Sequence, residues 1–244
     1  MNAVIVIPSR YASTRFPGKP LTMISGKSLI RRVWERASAS RLASSVWIAT
    51  DDARIADHVR QFGASLVMTS PDLPTGTDRI AAALEEIERV TGTVADQVIN
   101  VQGDEPLIDI DEVDRMIEVL QLDGPDIVTL SCPLRSEDEF GDPDVVKVVS
   151  DLEGNALYFS RAPIPAGAQT LARRHVGVYG YQGAALRRFA SLPPSPLEHA
   201  ERLEQLRALQ NRFTIRVLET SAPHLGVDRP EDVARIEREL AENG

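Results

Sequence analysis

The stretch PSRYASTRFPGKP, residues 8–20, puts Arg10, Arg15 and Lys19 in one loop with no acid among them, in a chain whose formal net charge is -9. Positive charge concentrated against an acidic background is most useful facing phosphate or carboxylate. A nucleoside triphosphate carries about four negative charges and is held by charge-assisted hydrogen bonds from such side chains. On charge alone, a solvated basic loop has an equal claim. The loop also offers Ser9, Ser13, Thr14 and Gly18 in a frame of prolines. A second candidate is NVQGDEP, residues 100–106. Gln102 and Asp104 should project from the end of a strand there, while Gly103 lets backbone approach a ligand. An aspartate in that position can hold a metal or shape a turn. Mg²⁺ typically takes one or two protein carboxylates, and Asp228 in GVDRPED is the other candidate. Asp228 with Glu231 also fits a D-x-x-E helix cap, which the sequence by itself favours.

Familiar phosphate motifs do not account for the first loop. GKS at residues 26–28 would need glycine where Leu21 stands to form a Walker A loop, and no G-x-G-x-x-G follows the first strand. Later in the chain, alternation in RHVGVYGY places His175, Gly177, Tyr179 and Tyr181 on one strand face and Val176 and Val178 on the other. The segment Leu197 to Gln210 has helical spacing, with Glu204 and Arg207 falling on its apolar face and Gln205 just beside it. Charges there pair with each other along the helix or serve a polar ligand.

These residues need a scaffold, and the sequence supplies an alternating one. Strand-like runs occur at Ala3 to Pro8, Ser45 to Thr50, Ser65 to Thr69, Asp96 to Gln102 and Asp126 to Cys132. Between them, Leu29, Ile30, Val33, Trp34 and Ala37 follow helical spacing, as do Ile55, Val59 and Phe62. The pattern predicts an α/β fold, a mostly parallel sheet flanked by helices, with ligands at the C-terminal ends of the strands. With 244 residues and 43% hydrophobic content, the chain can bury a full core. The acidic surface argues against nucleic acid as a partner, and no run approaches the roughly 20 apolar residues a membrane helix needs. A single cysteine, Cys132, excludes a disulfide framework, and the N-terminus lacks the marks of a signal peptide. A cytoplasmic protein is expected, without membrane insertion.

Nine segments together resemble the 3-deoxy-manno-octulosonate (Kdo) cytidylyltransferases: the first loop, ATDD, TGTDR, NVQGDEP, VVKVV, ALYFSRAPIP, RHVGVYGY, SPLEHAERLEQLRAL and GVDRPED. The resemblance runs the length of the chain. It implies a Rossmann-like nucleotidyltransferase fold, a homodimer, CTP and Kdo as substrates, Mg²⁺ as cofactor and a place in lipopolysaccharide synthesis. Carried onto this sequence, it assigns Arg10, Ser13, Arg15, Lys19, Thr75, Gly76, Arg79 and Gln102 to the nucleotide. Asp104 and Asp228 go to the metal, and with Arg15 and Lys19 form the catalytic set. Gln102, Arg161, His175, Tyr179, Glu204 and Gln205 go to the acceptor. The expected organisation is one domain: a nucleotide-binding core over about residues 1–138, an acceptor-binding and dimerisation elaboration over about 139–225, and a returning metal-site loop and helix over 226–244. Two departures stand out, Asp78 where the family carries glutamate and a short segment between Pro165 and Arg173. Two alternatives are an enzyme for a related acid sugar such as 8-amino-Kdo, and a non-catalytic nucleotide-sensing module on the same fold.

Overall fold

Residues 3–9 are apolar at nearly every position, the composition of a strand covered on both faces, and they form β1 (Ala3–Ser9) with Ala3 to Ile7 buried. The computed structural model describes residues 1–12, 16–73, 75–122, 124–221 and 224–242. It separates into two compact units, residues 1–117 with 223–244 and residues 118–222.

In the first unit, β1 leads through a small hairpin, β2 (Met23–Ile24) and β3 (Lys27–Ser28), into α1 (Leu29–Ala37). Then come β4 (Ser45–Thr50), α2 (Ala53–Gln61), β5 (Ser65–Met68), α3 (Gly76–Thr91), β6 (Gln97–Asn100) and the start of α4 (Ile110–Gln121). The helices bury the expected stripes: Leu29, Ile30, Val33 and Ala37 on α1, and Ile55 and Val59 on α2. The GKS tripeptide shapes the hairpin and the start of α1. Gly26, at φ 79°, makes the hairpin turn, and the Ser28 hydroxyl caps α1 by accepting from the Arg31 N–H.

Strand β1 pairs in parallel with β4 on one side and β6 on the other, and β4 pairs in parallel with β5. The chain therefore moves from β1 outward to β4 and β5, then returns to the opposite flank of β1 for β6. That reversal creates a crevice at the C-terminal ends of β1 and β6, where open α/β sheets bind ligands. The loops leaving those ends are the basic loop and NVQGDEP.

The second unit contains β7 (Ile127–Pro133), α5 (Asp138–Gly141), β8 (Lys147–Ser150), β9 (Ala156–Ser160), β10 (Arg173–Gln182), α6 (Gly183–Ala190), α7 (Pro196–Glu201), α8 (Gln205–Gln210) and β11 (Ile215–Glu219). Here β10 pairs antiparallel with β7 and β8, β8 pairs antiparallel with β9, and β11 pairs in parallel with β7. The chain then returns to the first unit as α9 (Asp232–Glu242). The single helix expected from Leu197 to Gln210 is instead α7 and α8. Arg202 adopts the left-handed conformation at φ 56°, closing α7, and the chain re-enters helix after Glu204. A left-handed non-glycine residue costs on the order of 1–2 kcal/mol. Burial of Leu203 and Leu206 on either side of Glu204 offsets it.

Lys147, in the VVKVV segment, is a structural staple. Its side chain is 0% exposed, and its ammonium donates to the carbonyls of Asp142 at 2.8 Å, Val145 at 2.7 Å and Arg161 at 2.6 Å. Burial pulls its pKa below the ordinary lysine value. Lys147→Met would take the ammonium from three carbonyls, of which that of Asp142 still accepts the Val145 N–H at 3.2 Å, at a cost of about 3 kcal/mol or more. For a chain of this size that corresponds to a fall in melting temperature of roughly 6–12 °C. A fall under about 2 °C by differential scanning calorimetry would contradict the staple.

Candidate active site

The basic loop is shaped before it is charged. Gly18 takes φ 72°, and a Cβ there would sit 3.2 Å from the Tyr11 ring. Its N–H donates to the Tyr11 carbonyl at 3.0 Å. The Arg54 guanidinium lies 3.3 Å from the centre of the Tyr11 ring and is itself held by both oxygens of Asp52. Through these contacts the ATDD segment props the loop. A single 3-10 turn, Lys19–Leu21, follows with Pro20 buried, so the backbone that carries Lys19 is fixed.

Lys19 gathers the two aspartates. Its ammonium lies 2.7 Å from Asp104 Oδ2 and 3.9 Å from Asp228 Oδ1. Asp104 arrives on the loop after β6, which is pressed against the end of β1: a Cβ on Gly103 would meet the Pro8 carbonyl oxygen at 2.8 Å. Only glycine permits that approach. Asp228 arrives from the last loop, tied down where the Val227 N–H donates to the Asp104 carbonyl at 2.9 Å. The Asp232 carboxylate, at the first residue of α9, ties down the chain that precedes the helix. One Asp232 oxygen accepts the N–H groups of Asp228 and Arg229, both at 2.9 Å. The Asp228 carboxylate is left within reach of Lys19, with its side chain 55% exposed.

A cavity of about 210 Å³ opens beside this cluster, lined among others by Ser9, Arg10, Lys19, Gln102, Gly103 and Asp104. The Ser9 hydroxyl is buried with no hydrogen-bond partner among the described residues, an arrangement suited to a polar ligand. The donor set also suits Mg²⁺. Two carboxylates already converge on one cation, the Lys19 ammonium. Mg²⁺ prefers such an open set, filled out by water and phosphate oxygens.

Other residues assigned to the nucleotide lie away from the cavity wall. Thr75 and Gly76 open α3, where Thr75 and Asp78 form a reciprocal capping box. Asp78 therefore performs the cap with the shorter carboxylate arm. Arg79 is 0% exposed, and its guanidinium donates to the Thr69 hydroxyl and to Asp51 Oδ2 at 2.8 Å. It braces the ends of β4 and β5. Arg10, which does line the cavity, also donates to the Leu73 carbonyl at 2.9 Å, tying the basic loop to the segment before α3. Ser13 and Arg15 lie outside the described residues.

In the second unit the structure brings His175, Tyr179 and Glu204 together. The His175 ring packs edge-on to Phe159 at 4.9 Å and against Tyr179 at 5.4 Å. Burial of the ring lowers its pKa to about 3, although the residue as a whole keeps an intermediate accessible area. The imidazole is neutral. Burial, with Tyr181 and Glu204 adding to it, raises the Tyr179 phenol well above its ordinary value. The expected alternation holds across the register shift between Val176 and Tyr179: the His175, Tyr179 and Tyr181 rings follow one another along β10, while Val176 and Val178 are buried.

Glu204 accepts from Arg207 at 3.0 Å, the intrahelical pair the spacing allowed. Arg207 is held more firmly by both oxygens of Glu198, at 2.8 and 2.9 Å, and packs over Phe189. The link to Glu198 crosses the helix break, so no single helical wheel could show it. Gln205 is buried beside this network. Arg161 is engaged elsewhere: its guanidinium donates to the Glu201 and Pro143 carbonyls, and its N–H to the Glu201 carboxylate. Glu201, which also accepts from the Ser160 hydroxyl at 2.7 Å, gave no signal in the sequence.

The cytidylyltransferase family profile matches residues 4–215. A 3-deoxy-manno-octulosonate cytidylyltransferase from Syntrophotalea carbinolica is 48% identical, covering 98% of this chain and 99% of that one. One of the same name from Chlorobaculum tepidum is 47% identical, covering 98% and 97%. A solved CMP:2-keto-3-deoxy-manno-octonic acid synthetase complexed with CTP superposes with a TM-score of 0.91 at 39% identity over 100% of both chains. A Leptospira borgpetersenii cytidylyltransferase, at 17% identity and a TM-score of 0.65, shares the fold. A Rossmann-like nucleotidyltransferase scaffold, its first loop and its carboxylate pair thus sit in a chain matched end to end by these relatives, and the chain belongs to the 3-deoxy-manno-octulosonate cytidylyltransferase family.

Proposed function

We propose that this chain transfers CMP from CTP to the anomeric hydroxyl of Kdo, releasing pyrophosphate. The observation that carries the reading is the gathering of Asp104 and Asp228 on the Lys19 ammonium at the mouth of the β1–β6 crevice. The anomeric oxygen forms a bond to the α-phosphorus of CTP and gives up its proton to solvent, as the bond from that phosphorus to the α–β bridging oxygen breaks and pyrophosphate leaves. Such chemistry depends mostly on positioning and charge neutralisation. Arg10, Arg15 and Lys19 neutralise the triphosphate. The Ser9 hydroxyl and the close backbone at Gly103 meet its oxygens. Asp104 and Asp228 would hold Mg²⁺, which supplies charge neutralisation and lowers the pKa of a bound hydroxyl. In the second unit, neutral His175 and Tyr179 with Glu204 and Gln205 bind acceptor hydroxyls, and Arg161 stays with the acceptor by family resemblance. The same resemblance supports Mg²⁺ dependence, a homodimer, a cytoplasmic location and a role in lipopolysaccharide synthesis. No helix among the described residues is long and apolar enough to cross a membrane.

A coupled pyrophosphate-release assay across the four nucleoside triphosphates, with Kdo, 8-amino-Kdo and sialic acid, tests the reading. CTP with Kdo should exceed every other pair by about a hundredfold or more in kcat/KM. Preference for another sugar, or release that does not require an acid sugar, would overturn it.

A further inference from the structure

Thr129 lies at the middle of β7, fully buried, beneath the irregular part of β10. Opposite Val176 stands Leu130 and opposite Tyr179 stands Thr129, so β10 carries extra residues between them. Bulges of this kind re-aim backbone and side chains. Here the bulge presents two β10 carbonyls to one hydroxyl: Thr129 Oγ1 lies 3.1 Å from the Val176 oxygen and 2.8 Å from the Val178 oxygen. A third neighbour, His175 Nε2, lies 3.0 Å away. The carbonyls can only accept, and a threonine hydroxyl has one proton. That proton goes to the carbonyls, so the imidazole nitrogen must donate to the hydroxyl lone pair. With Nε2 protonated, a neutral ring bears its lone pair on Nδ1.

We propose that Thr129 is a positioning residue that locks His175 in the Nε2–H tautomer, so that Nδ1 is presented only as a hydrogen-bond acceptor. A ring held this way recognises a donor such as a sugar hydroxyl and rejects a carboxylate, which needs a donor or a cation. The lock sorts which part of an acid sugar His175 can face. Its functional consequence rests on the reading that the second unit binds the acceptor, whereas the lock itself does not.

The test uses full-length protein carrying ¹⁵N-labelled histidine, with the His175 signals assigned by their loss in His175→Asn. Two-bond ¹⁵N–¹H correlation spectra should show protonated Nε2 and bare Nδ1, unchanged from pH 8 to pH 5. A protonated Nδ1, or conversion to imidazolium in that range, overturns the lock. Thr129→Ser should keep the pattern, and Thr129→Val should shift His175 to a mixture of tautomers. Retention of the pure Nε2–H form in Thr129→Val would also overturn the lock. In that variant the KM for Kdo should rise roughly tenfold with the KM for CTP within about twofold. If the tautomer changes and Kdo kinetics do not, the lock stands and the acceptor role of His175 fails. If Thr129→Val does not fold, the parent spectrum and Thr129→Ser still decide the tautomer.

Discussion

Asp104→Asn is expected to lower turnover by about two to three orders of magnitude at saturating CTP, Kdo and Mg²⁺, the scale on which fixed charges stabilise a transition state. The substitution keeps the size of the side chain and its hydrogen bond to Lys19, and removes the charge a divalent cation requires. Stability should scarcely move, because Asp104 is part-exposed and its ion pair is of the kind worth about 1 kcal/mol or less. The melting temperature without ligands should stay within about 4 °C of the parent. Asp228→Asn separates two accounts more sharply. Asparagine caps a helix about as well as aspartate, so a capping residue would tolerate the change. Because the Asp228 carboxylate lies beside Asp104 within reach of Lys19, Asp228→Asn is expected to lose activity as well. Full activity in that variant, measured in the same pyrophosphate-release assay, would remove Asp228 from the carboxylate pair.

Lys19→Met is expected to move two measurements in opposite directions. The ammonium lies against Asp104 and near Asp228, where a divalent cation would be drawn, and it also lines the cavity assigned to the triphosphate. Without nucleotide it neutralises the carboxylates and competes with metal. With triphosphate present it has a better-matched anion to meet. Removing it should lower turnover about a hundredfold or more, by the loss of a charge facing the transferring phosphate. It should also strengthen Mn²⁺ binding to the nucleotide-free protein by roughly tenfold, as expected when a like charge a few ångströms away is removed. Electron paramagnetic resonance of free Mn²⁺ reads the second effect without any turnover. Weaker or unchanged Mn²⁺ binding in Lys19→Met would contradict this account of the cluster.

Much of the first unit was legible because its signals are local. β1 and β4 are short β-branched runs, and α1 and α2 carry clean apolar stripes, so the alternation, and with it the position of the basic loop, could be read directly. Asp104 was legible because it closely follows a strand. What stayed hidden depends on contacts distant in sequence. Arg79 looked like a ligand contact within TGTDR, but its partners Asp51 and Thr69 come from two other strand ends and draw it fully inside. The break at Arg202, with Leu203 buried just after it, is something no wheel drawn through the segment could show. Strand β8 was missed because its first residue is a lysine, buried only by virtue of three carbonyls from the surrounding loops. Thr129 reads as one more β-branched residue in DIVTLSC. Its role exists only because the bulge in β10 turns two carbonyls and a ring nitrogen onto it.

Transfer of CMP to the acceptor can be followed bond by bond in ³¹P NMR spectra of the protein with CTP, Kdo and Mg²⁺. The CTP signals should decay while one phosphodiester resonance and pyrophosphate grow in equal amounts, with neither appearing when Kdo is omitted. Free CMP with pyrophosphate in the absence of Kdo, or CDP with inorganic phosphate, would show hydrolysis or cleavage at another bond. Unchanged CTP in the presence of both Kdo and Mg²⁺ would favour the nucleotide-sensing module over the enzyme. Any of these results would contradict the transfer.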